Sequence, residues 1–221
     1  MNIRSAVILF FLFSVNVFCA QKTNIFTDQY RDYKDAQELF DKLKYGAAQN
    51  KFSLVIQGID NPQDELRVDA EYYHAVCALE LFHLDAEVLL KRFVLDHPDH
   101  PKSKKVFFQL GRHNYRIKKF KKVIEFLSLI DPYDLTDKER VEYHFKLGYA
   151  YFYKKNQLLA KPHFKEVLAQ DSDFKIPATY YYSHIAYDQG NLQTALIGFE
   201  SIASNKMFKS IVPYYITLIY H

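Results

Sequence analysis

The sequence predicts an all-α chain in which antiparallel helix pairs stack into a right-handed superhelix, a solenoid. Two observations predict this class: turn residues are scarce, and a hydrophobic pattern recurs at a nearly fixed period along the chain. The 221 residues include only six glycines and seven prolines, whereas an all-β sandwich needs a turn signal about every ten residues. With 49% hydrophobic and 25% charged residues, the composition is that of an ordinary globular protein.

The repeat is a row of small residues, each followed by larger apolar residues on the same helical stripe. Successive members follow at intervals of roughly 35 to 38 positions, within the range of helix-pair repeats. Apolar residues follow four and seven positions later, and this spacing marks one face of a helix. The three rows are Ala48, Ala86, Val123, Ala160 and Ala195; Phe52, Leu90, Leu127, Phe164 and Phe199; and Val55, Phe93, Ile130, Val167 and Ile202.

A further row of mostly small residues lies twelve positions before the first. A small side chain inside a helical pattern lets a second helix approach closely. We therefore expect two antiparallel helices per unit, with the alanine of the second helix packed into the gap left by the first, and each pair stacked on the next. This small site is occupied by Ala36, His74, Gly111, Gly148 and Ser183.

The copy that begins near Glu139 resembles a tetratricopeptide repeat (TPR). It carries Leu147-Gly148, Tyr151, Ala160 and Phe164 at the spacing of that family. The other copies keep fewer of these positions, but about five follow one another in register over residues 25–206. The family's unit is shorter, at about 34 residues, so the longer spacings here imply extended turns or helices. In compartment and repeat style, the chain resembles exported TPR proteins of the bacterial cell envelope.

Helix-start signals agree with the pairs. Thr136 with Glu139 three residues later predicts a capping box at the first helix of the fourth repeat. Asn156 and Asn191 immediately precede second helices and are expected to be their N-caps.

Residues 1–20 predict a signal peptide. Arg4 precedes an apolar run of eight residues, Ala6 to Phe13, and small residues come before Gln21. This run is too short for a membrane-spanning helix, which needs roughly twenty residues, and no later segment is apolar enough to span. We expect an exported protein of the periplasm or cell envelope. Lipid anchoring at Cys19 is the less favoured alternative, because bulky Phe18 makes a poor lipobox.

The last segment, residues 207–221, predicts the start of a sixth repeat. Its sequence IVPYYITLIYH is apolar on nearly every face. We therefore expect the helix to continue into further chain beyond residue 221 or to dock on another surface.

The resemblance implies a binding groove lined by the first helices of repeats three to five. In this family, positions three before, one after and four after the small site face the concave side. Aromatic residues dominate these positions and commonly provide hot spots for a bound peptide or protein. The alternative is that the rings only pack on neighbouring helices. The candidate groove comprises Phe108, Arg112, Tyr115, Arg116, Phe145, Tyr149, Phe152, Tyr153, Tyr180, His184 and Tyr187.

Charge is unevenly placed along the chain. Residues 102–122 hold nine lysines and arginines and no acid, and most of these are expected to form a solvated edge. Arg112 and Arg116 lie on the groove side and are expected to meet an acidic part of a ligand. A net charge of +3 together with export argues against nucleic-acid binding.

The sequence contains no motif typical of an enzyme or of a metal or cofactor site. GxSxG, HExxH, CxxC and a glycine-rich phosphate loop are all missing. The densest polar cluster, His97-Pro-Asp-His100, is expected to be a loop between helices. We therefore predict no catalysis, no metal and no cofactor.

These observations favour a non-catalytic scaffold of the cell envelope that binds a peptide or protein segment in its groove. Association with outer-membrane or peptidoglycan-linked machinery is the corresponding expectation. One alternative is an envelope glycan-binding module in which Tyr149, Tyr153 and Tyr180 stack on sugar rings. Another is the docking arm of a longer multidomain protein.

Overall fold

The computed structural model describes residues 28–221, so the predicted signal peptide lies outside the described residues. Every regular element in this range is helical, which confirms the all-α prediction. A 3-10 turn spans Pro132–Asp134. The α-helices are α1 (residues 28–41), α2 (Tyr45–Gly58), α3 (Glu65–Glu80), α4 (Ala86–Asp96), α5 (Pro101–Arg116), α6 (Phe120–Leu127), α7 (Asp137–Tyr153), α8 (Gln157–Leu168), α9 (Lys175–Asp188), α10 (Leu192–Ile202) and α11 (Val212–Tyr220).

The helices form two compact units, which divide between His100 and Pro101. In the first unit α1 packs on α2, where the rings of Tyr33 and Phe52 meet edge to face at 5.8 Å, and α3 packs on both α2 and α4. In the second unit each helix from α5 to α11 packs on the next one along the chain. Each unit is thus a stack of helices in sequence order.

The three apolar rows predicted for the second helices form the interior of the stacks. All fifteen residues are buried, and none exposes more than 8% of its surface. Phe52, Leu90, Leu127, Phe164 and Phe199, the large members, are fully enclosed at 0%. Burial of one such side chain contributes about 1.5–3 kcal/mol, so this stripe is a main source of stability.

The gap at the small site is filled by a different residue from the one predicted. A methyl group at Gly111 would overlap the side chain of Leu127. At Gly148 it would lie 3.1 Å from Cβ of His163 and 3.3 Å from the ring of Phe164. The large residue of the second helix therefore enters the gap, because a leucine or phenylalanine side chain reaches the opposite helix and an alanine does not.

A shared turn ends the first helix of each pair. One residue in each turn adopts the left-handed conformation: Leu43, Phe82, Lys118, Lys155 and Gly190, with φ between 59° and 75°. The amide that follows this residue bonds back to a carbonyl five positions earlier, as in Asn156 N to Tyr151 O at 2.9 Å. This is the Schellman motif, which usually has glycine at the left-handed position. Here only the fifth turn does.

The predicted N-caps are confirmed. Thr136 and Glu139 form a complete capping box at the start of α7. Asn156 Oδ1 accepts from the amide of Leu159 at 3.2 Å, and Asn191 Oδ1 accepts from the amide of Thr194 at 3.3 Å. Among the described helices, none is both long and apolar enough to cross a bilayer.

Candidate functional site: an aromatic face on the second unit

A connected series of rings links α5 to α7. Tyr115 meets Tyr149 edge to face, with the ring centroids 5.5 Å apart. Phe120, which is buried at the start of α6, lies beneath this pair and contacts Tyr149 at 5.4 Å and Tyr153 at 4.4 Å. The start of the second unit thus presents one aromatic surface.

The series continues from α7 to α9 through Tyr181. The ring centroid of Tyr181 lies 5.1 Å from that of Tyr149 and 5.0 Å from that of Phe152. The centroids of Phe152 and His184 are 5.5 Å apart. From there, Tyr215 on α11 contacts His184 at 5.2 Å and Tyr187 at 5.5 Å. We call the accessible part of this series the aromatic face. It comprises Tyr115, Tyr149, Phe152, Tyr153, Tyr180, His184 and Tyr187, and Tyr180 joins the series through Tyr181, whose ring centroid lies 5.2 Å from its own.

Accessibility divides the predicted aromatic residues into two sets. Phe108 and Phe145 are buried, with 1% and 6% exposure, so they support the surface from beneath and offer no contact to a partner. The residues of the aromatic face are half-buried, except Tyr153, whose exposure is 60%. The alternative that the rings only pack in the core therefore applies to Phe108 and Phe145. The rings of the aromatic face remain accessible to a partner.

The two predicted arginines differ in their surroundings. Arg112 donates from Nε to Glu142 at 2.9 Å, and its guanidinium lies 5.7 Å from the ring of Phe108. Its charge is thus matched by Glu142 within the chain, and the contact with an acidic ligand stays a prediction. Arg116 is exposed at the last position of α5.

Sequence reasoning missed a buried lysine beneath the face. Lys146 exposes only 8% of its surface. Its Nζ lies 4.3 Å from the centroid of Tyr115 and 3.3 Å from Glu142. Burial lowers the pKa of Lys146, against the opposing effect of Glu142. Nothing in the sequence marks this lysine, because a single lysine in a helix ordinarily faces solvent.

Tyr181, the central ring of the series, was also missed. It belongs to a stripe of α9, with Phe174, Ala178 and Ile185, that packs into the core shared with α7 and α8. The i, i+4, i+7, i+11 spacing of this stripe was a readable signal. The groove positions borrowed from the family omit it because they lie on a different face of the helix.

The hydroxyl groups of Tyr115 and Tyr180 in the aromatic face are neutral at physiological pH. Burial raises the pKa of Tyr115 to about 12 and that of Tyr180 to about 12. A neutral phenol both donates and accepts a hydrogen bond. The face therefore combines apolar ring area with polar groups that can pair with a peptide backbone or a sugar hydroxyl.

The basic run of α5 has a structural use. Lys104 pairs with Asp134 at 2.8 Å and Lys105 with Glu139 at 3.3 Å, so each lysine reaches into the following repeat. Together with Arg112 and Glu142, these pairs join one repeat to the next. They are partly exposed, so each contributes little stability.

The His97 to His100 segment lies between α4 and α5, as predicted for a loop. His97 Nε2 lies 2.9 Å from Glu71, and His100 lies 3.7 Å from Asp69. Within residues 28–221, no three histidine, cysteine, aspartate or glutamate side chains are grouped so that they could share a metal ion.

The stacked pairs, the buried rows and the small sites define a TPR-type fold, in agreement with the resemblance seen in the sequence. Comparison with solved structures supports the same class. A crystal structure of MamA has a TM-score of 0.55 and 18% identity, over 79% of this chain and 96% of that one. A putative kinesin light chain of Podospora anserina with nearly identical TPR-like repeats has a TM-score of 0.58 and 15% identity, over 82% and 96%.

At these identities the likeness establishes the fold alone. No protein-family model matches the chain, and no curated protein matches its sequence.

Proposed function

We propose that the chain is a non-catalytic protein-interaction scaffold that binds a peptide or protein segment on the aromatic face. The observation that carries the proposal is a continuous set of accessible rings on successive first helices. Tyr153 is the most exposed of these rings, with 60% of its surface accessible. A TPR-type fold is consistent with this role, since stacked helix pairs create extended binding surfaces.

The packing of the rings favours binding. Each ring of the face already contacts another, as Tyr115 contacts Tyr149 at 5.5 Å and Phe152 contacts His184 at 5.5 Å. Side chains held in this way lose little conformational freedom when a partner arrives, so more of the contact energy appears as affinity. Tyrosine is also enriched among residues that dominate binding energy.

Site-specific photo-crosslinking tests the proposal. A photoreactive amino acid at Tyr153, in cells that produce the chain, should capture a defined partner segment. The matched control is Leu158, which is 80% exposed on α8 and should not capture it. The purified segment should then bind about tenfold more weakly to Tyr153→Ala, while Leu158→Ala should bind normally. Equal capture at both positions, or equal affinity for both variants, would contradict the proposal.

The glycan alternative uses the same rings, because the exposed ring of Tyr153 could stack on a sugar. Titration calorimetry with soluble envelope glycan fragments separates the two candidates. Binding heat that disappears in Tyr153→Ala would favour the glycan, and its absence at millimolar fragment would leave the peptide or protein as the ligand.

We also propose that the scaffold works outside the cytoplasm, among the protein machinery of the cell envelope. Support comes only from the signal-peptide pattern of residues 1–20. Cell fractionation with N-terminal sequencing tests this: a mature chain that begins at Gln21 is expected. Retention of Met1 in a cytoplasmic fraction would contradict export, and lipid labelling that requires Cys19 would support the anchored alternative.

A further inference from the structure

Two turns of the second unit carry exposed lysines. The first turn lies between α5 and α6, and the second lies between α7 and α8. Among the described residues, none of these lysines has an acidic group or any other partner for its side chain. We call them the lysine cluster, which comprises Lys118, Lys119, Lys154 and Lys155.

The packing of two rings brings the turns together. Phe120 directly follows Lys119 in the chain, and Tyr153 directly precedes Lys154. Because the ring centroids of Phe120 and Tyr153 are 4.4 Å apart, the two pairs of lysines flank one ring contact. The left-handed lysine of each turn has φ of 59°, so both turns have the same backbone conformation at this position.

The surroundings of the lysine cluster are poor in acidic residues. Residues 100–124 and residues 143–165 contain no aspartate or glutamate. At the equivalent end of α9, Asp188 already accepts from Gln157 at 2.5 Å and lies 3.2 Å from His184. The lysines near the start of α5 differ, since they reach acids of the following repeat. A single exposed lysine is ordinary, but four beside one ring contact form a concentrated positive charge.

We propose that the lysine cluster binds acidic side chains of the partner segment, on both sides of an apolar residue that contacts Tyr153. This inference rests on the proposed function and adds the chemistry of the partner. Like charges at one edge repel one another in the free protein, and carboxylates of a partner remove that repulsion. A peptide fits better than an anionic membrane surface, because the ring of Tyr153 packs on Phe120 and is not free to insert among lipid chains.

Two labelled peptides test this assignment. One has a leucine pair flanked on both sides by glutamates, and the other has glutamine in place of each glutamate. Fluorescence anisotropy at about 0.01 M salt, where the Debye length is about 30 Å, should show the glutamate peptide bound about tenfold more tightly or more. Changing all four lysines of the cluster to glutamine should remove this difference. Raising the salt to about 1 M, where the Debye length is about 3 Å, should remove it as well.

The matched control removes the same charge elsewhere in the second unit. Four other exposed lysines also lack a side-chain partner among the described residues, and their change to glutamine should keep the preference for the glutamate peptide. Circular dichroism of both fourfold variants should match that of the wild type, because every changed side chain is exposed. The control lysines are Lys138, Lys165, Lys206 and Lys209.

Equal affinity of the wild type for the two peptides, or a preference that the cluster variant keeps, would overturn the proposal. Vesicles of phosphatidylglycerol give a third measurement. If they bind only when the lysine cluster is intact while neither peptide is preferred, the cluster serves a membrane surface and the proposal is wrong. A segment captured at Tyr153 that binds the cluster variant as tightly as the wild type would reject the charge assignment alone. A lack of capture at Tyr153 would instead contradict the proposed function itself.

Discussion

Individual glycines in this fold are required to very different degrees. A methyl group at Gly111 would overlap Leu127, whereas one at Gly46 in α2 would have no atom within 4 Å. Both glycines are helical, and alanine is favoured over glycine in a helix by up to about 1 kcal/mol. The difference between the two sites therefore isolates the cost of closing the gap between α5 and α6.

We expect Gly111→Ala to lower the free energy of unfolding by about 1–3 kcal/mol, the usual cost of overpacking a core. Gly46→Ala should leave it unchanged or raise it by up to about 1 kcal/mol. Equilibrium unfolding in urea measures both. A Gly111→Ala protein as stable as Gly46→Ala would mean that Leu127 moves aside without loss of packing.

At the left-handed turn of Lys155, a substitution is expected to raise stability, whereas Gly111→Ala is expected to lower it. A non-glycine residue costs about 1–2 kcal/mol in this conformation, and Lys155 has φ of 59°. Lys155→Gly should therefore stabilise the protein by about 0.5–1 kcal/mol. The same change at exposed Lys165, inside α8, should destabilise it by about 1 kcal/mol. Thermal unfolding of the two variants should move in opposite directions; a decrease for both would refute this explanation of the turn.

At the scale of elements, a histidine pair joins α7 to α8. Nδ1 of His144 lies 2.9 Å from Nδ1 of His163, and the ring of His163 stacks on Tyr151 at 5.9 Å and 12°. Burial, with a smaller effect from His144, lowers the pKa of His163 to about 4, and burial with nearby Arg140 lowers that of His144. Glu166 opposes the shift at His163. At this distance one ring nitrogen can donate its hydrogen to the other. Two protonated rings would both carry a hydrogen there and would repel each other.

This pair predicts acid sensitivity. Because the folded state keeps His163 neutral, its contribution to stability is complete above the ordinary histidine pKa of about 6.5 and is lost as the pH falls towards about 4. We expect His163→Gln to lower stability at pH 7.5 and to flatten the decline between pH 6.5 and 4 by on the order of 1–2 kcal/mol. Exposed His83 supplies the control, His83→Gln. Urea unfolding at several pH values gives the free energy of unfolding as a function of pH, and this curve should be parallel for His83→Gln and the wild type. If the curve for His163→Gln were parallel as well, the histidine pair would not be the cause of the acid sensitivity.

The elements themselves were largely predictable, and the turns between them were not. The apolar rows could be predicted because a buried stripe imposes its period on the residue types, and Asn156 and Asn191 because an N-cap needs a short acceptor side chain. The left-handed residues could not, since Leu43, Phe82 and Lys118 have no preference for that conformation. Their backbone is held by the Schellman hydrogen bonds and by the packing of the helices on either side.

At the scale of the molecule, the predicted groove residues separate into core and surface. The sequence pattern locates the face of a first helix but not how deeply each position is covered. The neighbouring helices decide that, because they cover Phe108 and Phe145 and leave Tyr153 accessible. Lys146 and Tyr181, which the pattern omits, complete the surface from beneath. A site on stacked repeats is therefore predictable as a face and not as a set of contacts.

This separation predicts that stability and binding can be disabled independently. Phe145→Ala removes a buried ring that stacks on Phe174 at 4.9 Å, so it should lower the free energy of unfolding by about 3–5 kcal/mol. Tyr153→Ala removes a ring that is mostly in solvent, so it should change the free energy of unfolding by less than about 1 kcal/mol. The same change should lower the affinity for the partner segment. Urea unfolding and affinity for the cross-linked segment, measured on both variants, give the comparison. If Phe145→Ala stayed fully stable and lost only binding, Phe145 would act at the surface, and the division between core and aromatic face drawn from its 6% exposure would be wrong.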